Sequence, residues 1–320
     1  MPDTPLLLGS HGDSLREAFG KALVRLAETR PNFVVFDADI AGGTGTHHFR
    51  KAFPSRFFQV GIAEQNMMAM AAGFAATGVT PFVTTFAVFM LRALEQARLS
   101  VAYPKMNVKL VASHPGLDVG PDGASAQCLE DLAAFRALPG LVVLSPCDPL
   151  EVEQATEAIL DYPGPVYMRT GRSAAERILP EDYRFEIGRG KVLRDGRDVT
   201  VIACGVTTAR ALEAARRLES DGVSVRVVNL STLKPIDREL IVRCAEETRA
   251  VVTAEDHNVY GGLGSAVAEV LARTRPTPME MVAVQDTFGE SGEPEELARK
   301  YRIDARAIEQ AVRRVSRRAT

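Results

Sequence analysis

A chain of 320 residues, 46% apolar and 25% charged, is long enough to bury two cores of ordinary domain size. Its 38 lysines and arginines against 41 acids leave a net charge of −3 and no basic stripe, which argues against a nucleic-acid partner. Cys128, Cys147, Cys204 and Cys244 stand far apart with no CxxC pair, so a zinc site and a disulfide framework are not expected and a reducing cytoplasm is.

In chain order, MPDTPLLLGSHGD lacks the basic flank and apolar length of a signal peptide. A helix is expected over Ser14 to Glu28, then the strand NFVVFDAD, and FFQVG leads into an apolar helix from Glu64. Met67 to Leu91 carries no charge, but Gly73, Thr77, Gly78, Thr80 and Pro81 interrupt it; it reads as helix, turn and strand, not as a membrane span. The strand PFVTTF enters a helix through Arg92, and VKLVASH precedes the Gly-rich loop GLDVGPDGAS. LEDLAAFRAL, LVVLSP, LEVEQATEAIL and PVYMRT alternate helix and strand to close the unit.

Residues 1–172 thus form one α/β domain and residues 173–190 a polar surface linker. Residues 191–320 form a second, smaller α/β domain, with the strands VTVIACG, SVRVVNL, AVVTAED and MEMVAVQ and helices between and after them. Each domain is expected to be a mostly parallel sheet flanked by helices. The glycines of GRGKV and GGLG lack a dinucleotide-binding context and read as turn and helix-start residues. The arginines of RRVSRR (Arg313, Arg314, Arg317, Arg318) read as a solvated last helix turn.

The helix from Glu64 has almost nothing polar on any face and should be buried on every side, so a carboxylate at its mouth is costly unless it has a task. Phe86 and Phe89, three apart at a helix start, address one face and offer a flat heterocycle stacking worth about 0.5 to 1.5 kcal/mol beyond area burial.

FFQVGIAEQNM, TTFAVF and HPGLDVGPDG together resemble the pyrimidine-binding half of transketolase, in the form split into two polypeptides. VNLSTLKPID and TAEDHNVYGGLGSAVAEVLA resemble the transketolase C-terminal domain, so the resemblance runs over nearly the whole chain. It implies thiamine diphosphate as cofactor, and Glu64 as the carboxylate that bonds a ring nitrogen of the aminopyrimidine and drives it toward an imino tautomer. Such an acid must hold or share a proton near neutral pH, which burial among Met67, Met68 and Met70 favours and the helix N-terminus opposes. The resemblance further implies Phe86, Phe89 and Arg92 in the pyrimidine pocket and Asp39 near the thiazolium. His114 and Asp122 match residues that line the sugar channel, and Arg16, Arg169 and Arg172 are candidates to grip a sugar phosphate in bidentate fashion.

Two departures from the family pattern matter. Where transketolases carry a second histidine, in a Thr-His-Gln run, this chain has Ser125, Ala126 and Gln127, and alanine can neither donate nor accept. The Gly-Asp-Gly stretch that holds the diphosphate through a metal is absent, and the PDG of Pro121 to Gly123 does not replace it. No metal is therefore assigned to this chain: an N-terminal transketolase subunit is expected to carry that motif and its Mg2+ or Ca2+. An α2β2 heterotetramer follows, with a β–β contact to which the Ala- and Gly-rich stretch Ala69 to Ala76 is suited. The expected activity is transfer of a two-carbon ketol unit between sugars or sugar phosphates. A deoxyxylulose-phosphate-synthase-like enzyme, a 2-oxo acid dehydrogenase β subunit and a non-catalytic scaffold are the alternatives.

Overall fold

The structure, a computed structural model, describes residues 11–318. It is α/β, with two mostly parallel sheets and helices on both faces of each. The larger sheet has seven strands in the order Thr232–Lys234, Val142–Leu144, Val166–Thr170, Lys109–Ser113, Thr80–Phe86, Phe33–Asp37 and Phe57–Gln59. All run parallel except the first. The central strands are buried along their whole length, which is why they read as unbroken apolar runs and not as alternation. Leu15–Thr29 and Pro149–Asp161 cover one face, where Phe19 and Leu23 share a core with Val152 and Ile159. Glu64–Ala76 covers the other with Met67, Met68 and Ala71.

The smaller sheet orders Met279–Val284, Ala250–Asn258, Val199–Ala203 and Val225–Asn229 in parallel, with Lys191–Arg194 antiparallel at one edge. The two domains are not independent bodies. Thr232–Lys234, from the second half of the sequence, completes the edge of the first sheet, and one core cluster runs from Leu132 and Phe135 to Leu240, Leu263 and Val267.

Two expectations change. The stretch read as a surface linker is packed: Ala174–Glu176 pairs with His11–Ser14, and Ile178, Leu179 and Tyr183 are buried. Glu151 holds this stretch and the second domain together, accepting from Tyr183 Oη (2.6 Å), Asn229 Nδ2 (2.9 Å) and Ser231 Oγ (2.7 Å). The helix Glu64–Ala76 is not covered all round, because Gln65, Asn66, Ala69, Met70, Gly73 and Ala76 face outward from this chain. No helix among the described residues is long and apolar enough to cross a membrane.

The GGLG glycines do open a helix, Leu263–Arg273, and they also let a carboxylate close it. Glu255 accepts the Leu263 and Gly264 N–H groups at 2.7 and 2.8 Å, and a Cβ on Gly262 would lie 2.0 Å from Glu255 Oε2. Burial pushes the Glu255 carboxyl up to about 7 against the pull of those two N–H groups. Between its ordinary 4.5 and about 7, the folded chain holds a proton that the unfolded chain releases. This contribution to stability is therefore full below pH 4.5 and lost as pH rises to about 7, a total of roughly 3 kcal/mol at ~1.36 per unit. Urea midpoints at pH 5, 6 and 7 are expected to fall more steeply for the parent than for Glu255→Gln; parallel slopes would refute the assignment.

Candidate active site

In a parallel sheet the carboxyl ends of the strands form the ligand-binding edge. Three of these ends, after Asp37, Phe86 and Ser113, bring the candidate residues together. Asp37 is fully buried and accepts from Ile40 N–H (2.8 Å), Thr44 Oγ1 (3.2 Å), Thr46 Oγ1 (3.3 Å), Gln59 Nε2 (3.3 Å) and Thr84 Oγ1 (3.4 Å). Burial raises its pKa and these bonds oppose the rise. They fix the turn on which Asp39 stands exposed with φ 63°. Gln59 Oε1 accepts from the N–H groups of both Asp39 (2.8 Å) and Gly61 (2.9 Å), which ties that turn to the approach of the Glu64 helix.

Glu64 is the first residue of its helix and only 5% exposed. Met67 and Met68 are buried behind it, whereas Met70 is 37% exposed and contributes no dry wall within this chain. The carboxylate is out of water but not alone: Arg92 Nη1 donates to its Oε1 at 3.0 Å. The Arg92 guanidinium carbon in turn lies 4.5 Å from the Phe89 ring centroid. Phe89 stacks on Phe86 at 5.5 Å and 11°, and Phe86 on His114 at 3.6 Å and 19°. Carboxylate, guanidinium, two phenyl rings and an imidazole thus form one continuous wall. Gly43 makes room for it, since a Cβ there would lie 2.5 Å from Phe86 Cε1.

His114 is buried in the left-handed backbone region, φ 58°, a costly conformation that its surroundings must impose. Burial first, then Arg16 and Arg172, drives its pKa down to about 3, so the ring is neutral at physiological pH. Ser113 Oγ donates to the Gly43 carbonyl at 3.1 Å and stands 3.0 Å from His114 Nδ1. With its proton committed, that hydroxyl accepts from Nδ1–H, which makes Nε2 the acceptor.

The three arginines separate. Arg16 lies beside His114 and reaches the carbonyls of Gly42 and Gly43 at 3.4 and 3.3 Å. The Arg172 guanidinium, half-buried, has no hydrogen-bond partner among the described residues. Arg169 departs from expectation: it is 4% exposed, its Nε and Nη2 both pair with Asp131, and Nη1 donates to the Asp256 carbonyl at 3.0 Å. Its edge is used up, and no phosphate can reach it.

Asp122 is exposed at the end of the turn Leu117–Asp122. That loop is pinned by Asp256, which accepts from the N–H groups of Leu117 (2.9 Å) and Asp118 (3.1 Å). A Cβ on Gly116, φ 69°, would lie 2.3 Å from the Asp256 carboxyl. Ala126 is buried, and the adjacent Gln127 donates to the Glu290 carbonyl at 2.9 Å while its own Oε1 is shielded and has no partner among the described residues. Asp37, Gln59 and Asp256 are the residues that sequence reasoning did not single out. Asp37 carried a signal, an acid closing an otherwise apolar strand; Gln59 and Asp256 did not.

The transketolase pyrimidine-binding domain model matches residues 12–177, and the transketolase C-terminal domain model matches residues 188–308. The chain belongs to the transketolase family. Transketolases depend on thiamine diphosphate. A protein of Methanocaldococcus jannaschii described as a transketolase C-terminal section is 45% identical over 298 residues, 92% of this chain and 93% of that one. A 6-deoxy-6-sulfo-D-fructose transketolase subunit of a Clostridium species is 40% identical over 305 residues, 95% of each chain. Among solved structures, a split-gene transketolase captured as an inactive β4 tetramer superposes with a TM-score of 0.90 at 50% identity. It is covered to 99%, and this chain to 96%. This chain therefore corresponds to the C-terminal section of a split transketolase.

Proposed function

We propose that this chain supplies the aminopyrimidine half of a thiamine diphosphate site and works only with an N-terminal transketolase subunit. That subunit carries the Gly-Asp-Gly motif, the diphosphate and its Mg2+ or Ca2+, in an α2β2 assembly with a β–β contact. The observation that carries the reading is Glu64. A buried carboxylate opens on a cleft lined by Ile62, Ala63, Gln65, Asn66 and Arg92, with one oxygen on Arg92 and Oε2 without a hydrogen bond among the described residues. This donor set fits a ring nitrogen and does not fit a diphosphate. Ile62, 75% exposed beside the carboxylate, and Met70 on the same helix are apolar groups that a second chain would cover.

Bound thiamine diphosphate supplies a thiazolium carbon able to attack a ketose carbonyl. The chain's own residues do the rest. Glu64 holds and returns a proton at the ring nitrogen, and Phe86 and Phe89 fix the plane of the heterocycle. His114, neutral with Nε2 as acceptor, takes a hydrogen bond from a sugar hydroxyl. Arg16 and Arg172 hold the anionic end of the sugar, a phosphate or, as the name of the Clostridium relative states for that protein, a sulfonate. Asp39 lies at the turn facing the same edge. Ala126 removes one hydroxyl contact, which loosens discrimination among ketose donors.

The test is reconstitution. Ketol transfer from a ketose phosphate to an aldose phosphate is expected only when this chain, its N-terminal section, thiamine diphosphate and Mg2+ are all present. Turnover by the chain alone overturns the reading, as does an assembled complex that transfers from none of the phosphorylated or sulfonated ketoses tried.

A further inference from the structure

Two helices meet next to the site for a reason the ketol-transfer reading does not use. Leu15–Thr29 and His47–Ala52 approach through glycine: a Cβ on Gly20 would lie 2.1 Å from the Gly45 carbonyl oxygen and 3.2 Å from His48 Cδ2. A Cβ on Gly45 would lie 2.1 Å from the Arg16 carbonyl oxygen. That approach places Glu17 against both histidines. His48 Nε2 stands 2.7 Å from Glu17 Oε2, and one ligating atom from each of Glu17, His47 and His48 lies within 4.8 Å of the others.

Neighbouring residues on a helix normally point apart, yet the His47 and His48 rings lie 4.0 Å apart at 37°. His47 Nδ1 is shielded from water and has no hydrogen-bond partner among the described residues, a state that calls for an ion or water. From this convergence we propose that Glu17, His47 and His48 form a site for a divalent transition metal of the zinc, cobalt or nickel class, with water completing the coordination.

The donors decide the class of ion. Two imidazoles and one carboxylate suit zinc and its neighbours, whereas Mg2+ and Ca2+ select oxygen. Three protein ligands with an open position match the usual zinc count for a site that keeps a water. Two ligands on one tetrahedral ion with bonds of ~2.1 Å sit about 3.4 Å apart, so the Glu17–His48 contact of 2.7 Å must open by roughly 0.7 Å. Both side chains are about one-third exposed or less but not enclosed, at 27% and 33%, and have room to do so. The four cysteines are free and buried, so they do not compete for the ion in the folded chain. A bound metal would clasp Leu15–Thr29, which carries Arg16, to the segment following Asp39.

The experiment uses the full untagged chain, stripped by chelator, with Zn2+ or Co2+ alone and no thiamine diphosphate. Expected are one equivalent bound in equilibrium dialysis, visible d–d bands with Co2+, and a Tm several degrees higher with Zn2+. The double variant His47→Ala/His48→Ala and, separately, Glu17→Gln should lose the bands and the Tm rise while unfolding near the metal-free parent. Uptake retained in the double variant, or no saturable uptake by the parent, overturns the proposal. Should the double variant fail to fold, His48→Gln carries the comparison, with loss of the Co2+ bands expected and their retention overturning it.

Discussion

Replacing Glu64 by alanine is expected to lower ketol transfer by the reconstituted enzyme about a thousandfold while assembly and Tm stay close to the parent. Positioned proton transfer contributes roughly 10² to 10⁴ in rate, and Glu64 is the buried carboxylate at the head of the Glu64–Ala76 helix, opening on the cleft. Its structural share is small. Loss of an acid from a first helix turn costs about 0.3 to 1 kcal/mol, and Arg92, with its side chain 53% exposed, returns to water without penalty. Glu64→Gln separates proton transfer from shape, because the amide fills the same space and bonds Arg92 through its oxygen but exchanges no proton. Gln and Ala should fall together. If Gln keeps activity within tenfold of the parent, Glu64 positions the heterocycle and does not move a proton.

Much of this arrangement is legible in the sequence, and the rest is hidden for identifiable reasons. Strands such as Phe33–Asp37 and Thr80–Phe86 show because burial on both faces demands unbroken apolar residues. Ala174–Glu176 and Thr232–Lys234 are three residues long and pair with partners distant in sequence, so no local pattern announces them. The outward face of Glu64–Ala76 looks buried in the sequence because Ala69, Met70, Gly73 and Ala76 are small or apolar, and composition alone does not reveal that this chain leaves them exposed. The family motif groups Glu64, Phe86 and Phe89 as an expectation, and in the fold they are linked through Arg92. Asp37 could not be given a role, since its hydrogen-bond partners come from four separate segments ending at Ile40, Thr44 and Thr46, Gln59, and Thr84.

Arg169 shows the same blindness at its sharpest, and it yields the largest expected effect on stability. MRTGR reads identically whether its first arginine faces a substrate or a buried acid, and the acid, Asp131, lies 38 residues away at what looks like an ordinary helix start. In the fold Asp131 is fully buried, takes both arms of Arg169 and accepts from Tyr167 Oη at 2.5 Å. Burial works to raise the Asp131 pKa, but the guanidinium outweighs it and holds the carboxyl below its ordinary 3.8. Removing one partner strands a buried charge, so Asp131→Ala and Arg169→Ala are each expected to cost about 3 to 5 kcal/mol, read as a lower urea midpoint. The double replacement Asp131→Leu/Arg169→Met should recover most of that loss, since an apolar pair of similar volume leaves no charge uncompensated. A phosphate-gripping Arg169 predicts the opposite pattern: an unchanged midpoint and a raised KM for phosphorylated sugars. The pair also reaches the site indirectly, because Arg169 Nη1 holds the Asp256 carbonyl and the Asp256 carboxylate pins the loop after His114. Breaking the ion pair should therefore loosen the 115–123 loop before the sheet itself melts, detectable as faster amide exchange at Leu117 and Asp118.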